Sequence, residues 1–126
     1  SKRLLTAFVT HHHIDETLAA FVTPRNPAED LGSEATEPVA DLEALSRRVT
    51  ELEGGQRDVP VLLKQYLKLG ARVLGVNRDP RFRDVLDALI LVDLVEGPQR
   101  LLEKYLGKDG LRAVREYHET RDLARR

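Results

Sequence analysis

The sequence predicts an α+β chain, and three stretches carry that prediction. VPVLLKQYLKLG, from Val59 to Gly70, reads as a helix with a glycine stop, and ARVLGV follows at once with strand character. ALILVDLV, from Ala88 to Val95, is an apolar run too short for a membrane span and shaped like a buried strand. Elsewhere the apolar residues fall at helical spacing, so helices surround a small amount of sheet.

The chain opens with Leu4, Leu5, Phe8 and Val9 on one helical face and Lys2, Arg3 and Thr6 opposite, an amphipathic helix that runs into His11, His12 and His13. Asp15 is placed to cap a short second helix carrying Leu18, Ala19 and Val22, which must end before Pro24. TPRNPAEDLGSEATEP, residues 23–38, holds three prolines and several acids around one leucine. It reads as a flexible connection, long for a compact domain. Leu42, Leu45, Val49 and Leu52 then form one narrow stripe, with Asp41 in the first turn and Gly54-Gly55 at the end. Pro60 suits the first turn of the next helix, whose face is Leu62, Leu63, Tyr66, Leu67 and Leu69, with Lys64 and Lys68 one turn apart opposite it.

Gly70 takes the left-handed stop, residues 71–76 form a strand, and Asn77-Arg78-Asp79-Pro80 forms a turn. Residues 87–95 return as a second, antiparallel strand. Only Asp93 interrupts the apolar character of both its faces, so it is expected inside a sheet larger than two strands can make. Gly97-Pro98 opens QRLLEKYLG, and Asp109 opens a last helix packed through Leu111, Val114 and Tyr117 or His118. The segments are thus 1–22 helical, 23–38 connecting, and 39–126 α+β. The start without methionine, with a helical pattern already running, predicts a fragment of a longer protein.

Composition excludes several classes. The formal net charge is −1, against the basic field of a general nucleic-acid binder. There is no cysteine, which removes disulfides, thiolate metal sites and cysteine nucleophiles. No apolar run approaches the roughly 20 residues that span a bilayer. Consecutive histidines on a helix point about 100° apart and cannot converge on one ion, so His11–His13 read as a helix end or polar surface rather than a metal site. Asp84, Asp87 and Asp93 have no nucleophile or proton-transfer partner beside them in the sequence. No GxSxG, Walker loop or HxxxxD pair is present. Lys64, Lys68, Arg72 and Arg78 form the basic cluster near the core. It reads either as a solvated face or as contacts for an anionic partner, such as an acidic carrier protein or a lipid headgroup. An arginine within a strand, Arg72, needs a partner if it is buried.

The phrases PVLLKQYLKLGARVLG, Asp79-Pro80, DVLDALILVDL and LLEKYLG together resemble the C-terminal part of bacterial hemolysin-like acyltransferases. These are relatives of the ornithine-lipid N-acyltransferases in the GNAT superfamily. RLLTAFVTHHHIDETLAAFVTPRNP is similar to that family's helix after its central strand. The resemblance covers most of the chain outside residues 29–56 and includes no catalytic signature. It implies the C-terminal portion of a GNAT-like fold, cytoplasmic and peripheral to the inner membrane. Such an enzyme moves an acyl group from acyl carrier protein or CoA to an amine in lipid biosynthesis. It further implies that the donor is bound by an N-terminal half before Ser1, that this segment holds no cofactor, and that the chain is inactive alone. In that setting Lys64, Lys68, Arg72 and Arg78 are the expected carrier or headgroup contacts. The competing expectation is a noncatalytic interaction module, all helical, binding a partner through the Leu42–Leu52 stripe and the Leu62–Leu69 face. The two differ at Ala88–Val95, strand in one and helix in the other.

Overall fold

The computed structural model describes residues 2–28 and 39–125. The order is α1 (Lys2–His13), α2 (Glu16–Ala19), α3 (Leu42–Leu52), α4 (Val61–Lys68), β1 (Arg72–Asp79), a 3-10 turn (Pro80–Phe82), β2 (Val85–Leu91) and α5 (Gln99–Arg125). The chain is α+β, its β1–β2 pair antiparallel. None of the described helices is long and apolar enough to cross a membrane.

Local chemistry sets most of the boundaries. Asp15 accepts the Leu18 N–H at 2.9 Å and Asp41 accepts the Ala44 N–H at 2.8 Å, so each carboxylate satisfies a donor that the first helical turn leaves open. Gly70, at φ 79°, supplies the left-handed residue between α4 and β1. Gly107, at φ 72° and ψ 166°, breaks α5 into two helical parts, as expected for LLEKYLG and the helix after it. Behind it Leu111 is buried, whereas the helix beyond Arg115 is exposed all round.

One core takes residues from both sides of the 29–38 connection. Leu4, Phe8 and Val9 of α1 pack with Leu45 and Val49 of α3, Val59, Leu67 of α4 and Val73 of β1. The helical 1–22 segment and the α+β segment therefore share their interior. The α3 stripe is consumed there: Leu45 and Val49 are fully buried, while Leu52 emerges. The α4 face is broader than this core can cover. Leu67 is buried, but Val61 is 71% and Leu62 62% exposed.

The strands differ from expectation in length and setting. Asn77–Asp79 continue β1, and the reversal falls at Pro80–Asp84, where Arg83 and Asp84 both take positive φ. β2 spans Val85–Leu91 and stops before Asp93. That carboxylate accepts the N–H groups of Val95 at 2.8 Å and Glu96 at 3.2 Å and folds the chain into a turn. Nor is β2 interior. Val85, Leu89 and Leu91 point outward and are exposed, while Leu86 and Ile90 turn inward. Among the described residues the sheet has two strands, and the far edge of β2 is unpaired. β1 is covered on its other edge. The Asp15 N–H donates to Val73 O, Ala28 N–H to Val76 O and Arg78 N–H to Asn26 O. Residues 23–28, expected in a flexible connection, thus run along β1; the rest of that connection lies outside the described residues.

Candidate functional site

The four basic residues singled out in the sequence do not meet at one point. Arg72 and Arg78 stand six residues apart on β1, about 20 Å of strand, and Lys64 and Lys68 sit on α4. Each has its own surroundings.

Lys64 is held by a small polar cluster between α3 and α4. Its Nζ donates to Asp58 Oδ2 at 2.5 Å and to Ser46 Oγ at 2.9 Å. Ser46 Oγ in turn donates to Asp58 Oδ1 at 2.5 Å, and the Val59 N–H donates to the same oxygen. These bonds, Lys64's first, hold the Asp58 carboxyl down at about 2 against an ordinary 3.8. The Ser46 hydroxyl gives its proton to Asp58 and accepts from Lys64 Nζ, so its bonds tie α3 to α4 through that carboxylate. Since folding lowers this carboxyl's pKa, its stabilisation is complete above about pH 4 and is lost as pH falls towards 2. Asp58→Asn should flatten that acid limb, measured as thermal midpoint against pH for both proteins.

Lys68 lies one turn further along, exposed. With Lys64, Ser46, Asp41, Leu42 and Glu43 it lines an open hollow of about 540 Å³. The hollow carries both signs of charge.

Arg72 has the partner its position demanded. Its Nη1 donates to Asp15 Oδ2 at 3.0 Å, and its Nη2 lies 3.8 Å from Asp93 Oδ2. Asp15 thereby caps α2 with one oxygen and binds β1 with the other. The arginine is 42% exposed, so water screens the pair. Arg72→Ala is expected to cost about 1 kcal/mol in urea denaturation. Asp93→Asn should cost less, because its separation from Arg72 exceeds hydrogen-bond length.

Arg78 pairs with Leu86 across the sheet, and its backbone N–H reaches Asn26 O at 2.8 Å. At the end of α1, a His12 ring nitrogen lies 2.7 Å from Val39 O, and Phe8 lies against His12 with ring centroids 4.8 Å apart. Burial, then the neighbouring His12, lowers the pKa of His13. Among the described residues no three His, Asp or Glu side chains are placed to hold an ion.

The sequence reading did not isolate a groove on the outer face of the sheet. Pro24 folds over Gly75, where a β-carbon would stand 3.1 Å from Pro24 Cγ. Val22, Pro24, Gly75, Asn77, Asp87 and Leu89 line about 250 Å³, mostly apolar. Asn77 Oδ1 accepts the Asn26 N–H at 2.8 Å, and Asp87 sits across the sheet from Asn77. An apolar trough with one carboxylate suits a ligand with an aliphatic body and a cationic amine. A glycine inside a strand was the available signal, since it marks the close approach of another backbone.

No family model matches this chain, and searches of curated proteins and of solved structures find no match.

Proposed function

We propose that this chain is the C-terminal part of a GNAT-type N-acyltransferase that moves an acyl group from acyl carrier protein or CoA to an amine in lipid biosynthesis. The observation that carries the reading is the conformation of Val85–Leu91. The segment is extended, paired to β1 on one edge, without a partner among the described residues on the other, and apolar on a face open to solvent. A strand of that kind suits a sheet that continues past it, with the donor-binding strands supplied by the N-terminal half. A helical interaction module would have coiled this segment. It would also have kept the α3 stripe free, but Leu45 and Val49 are spent on the core.

On this reading the trough beside Asp87 is the acceptor side. The carboxylate receives the ammonium, and Leu89 and Pro24 receive the aliphatic carbons. Lys68 is the residue of the basic cluster best placed to meet an acidic carrier, because Lys64 and Arg72 hold carboxylates of their own chain.

The test is acyl transfer by the protein of the complete reading frame, with acyl carrier protein or CoA thioesters as donors and ornithine among the amines. Donor-dependent acylation is expected. Asp87→Asn should raise KM for the amine about ten-fold, the loss of one charged hydrogen-bonded contact. Lys68→Glu should raise KM for the carrier. No transfer with any donor and amine pair contradicts the reading.

A further inference from the structure

The hairpin tip presents a different chemistry, which does not depend on acyl transfer. Of the three phenylalanines, Phe8 is buried in the core, whereas Phe21 is 83% and Phe82 70% exposed, and Phe82 alone of these sits at the reversal between β1 and β2, between two arginines. Arg81 and Arg83, on either side, are exposed as well. The tip is held in shape. Asp79 accepts the Arg81 N–H at 2.9 Å, and Arg83 and Asp84 sit in the left-handed region at φ 57° and 56°. Lys2, at the start of α1, donates from Nζ to the Asp84 carbonyl at 3.0 Å and so adds a third cation to the tip.

We propose that this tip is a membrane-surface anchor, in which Phe82 enters the interface of an anionic bilayer while Arg81, Arg83 and Lys2 meet its phosphates. An aromatic ring at the tip of a reversal, flanked by long cationic side chains, matches the depth profile of a bilayer interface: apolar below, anionic at headgroup level. The shape also separates the possible partners. A tip of a few residues cannot supply the roughly 800 Å² per partner of a stable protein interface, whereas a bilayer accepts a single inserted side chain. Nucleic acid binding draws on many phosphates at once, and a chain of net charge −1 with three tip cations offers few contacts for them.

The chain contains no tryptophan, so Phe82→Trp gives a single reporter at the site. Its emission should shift to the blue with vesicles of phosphatidylglycerol and phosphatidylcholine, not with phosphatidylcholine alone, and the shift should reverse in high salt. Adding Arg81→Glu and Arg83→Glu should raise the lipid needed for half of the shift about ten-fold or more. In the otherwise unchanged chain, Phe82→Ser should reduce co-sedimentation with the same vesicles. Circular dichroism would confirm that the variants keep the fold. Three outcomes each overturn the proposal: no shift with anionic vesicles, an equal shift with neutral ones, or a larger response to a single-stranded oligonucleotide than to vesicles.

Discussion

Leu45→Ala should lower the stability of this chain by about 3 kcal/mol, a large fraction of the roughly 5–15 kcal/mol that holds a domain folded. Leu45 is fully buried on α3, in the cluster that joins Leu4, Phe8 and Val9 of α1 to Val59, Leu67 and Val73. Removing the three carbons beyond its β-carbon loses their transfer free energy and leaves a cavity at the junction of three elements. α1 and β1 are tied to each other by their own packing, so the hole cannot close by a small shift of one helix. Leu52→Ala, at the exposed end of the same stripe, should cost far less. Urea denaturation of the two variants should separate their midpoints while leaving the slope unchanged.

Gly97→Val is expected to cost about 2 kcal/mol, the upper effect among single changes outside the core. A β-carbon at Gly97 would stand 3.1 Å from the carbonyl oxygens of both Asp93 and Leu69 and 3.2 Å from Leu102 Cδ1. Three elements converge there: the end of α4, the Asp93 turn and the first turn of α5. Two of the crowded atoms are backbone, and the Gly97 N–H donates to Asp93 O at 3.1 Å, so the neighbours cannot swing aside. A branched side chain must push α5 away from α4. Gly110→Ala, whose β-carbon would meet only Leu106 Cβ at 3.4 Å, is the control with little effect. Thermal denaturation of the pair measures the difference.

What could be read from the sequence was mostly local. The caps at Asp15 and Asp41, the stop at Gly70 and the break before Asp109 depend on residues within one turn of the helix end, and such bonds can be inferred from spacing. Asp93 stands out in the sequence as the one interruption of an apolar run, and in the fold it accepts two backbone N–H groups in the turn that ends the strand two residues earlier. The partners across the fold were not legible. Nothing near Lys64 in the sequence points to Ser46, and nothing near β1 announces that residues 26–28 lie along its edge. Ala88–Val95 read as an interior strand because its residues are apolar at both parities. In the fold that parity divides into Leu86 and Ile90 inward and Val85, Leu89 and Leu91 outward, so the second apolar set faces solvent. The basic cluster read as a shared surface because charge is visible in a sequence and pairing is not. Asp58, Asp15 and Asp93 account for two of its four members.

The proposed acyl transfer and its acceptor trough stand on Val85–Leu91 being an extended strand with one edge unpaired among the described residues. Amide hydrogen exchange followed by NMR tests that state directly. Antiparallel pairing on one side alone predicts alternation through the segment: slow exchange where an N–H points at β1, fast exchange where it points from the open edge, and extended Cα shifts throughout. Uniform protection with helical shifts from Ala88 onward would contradict it.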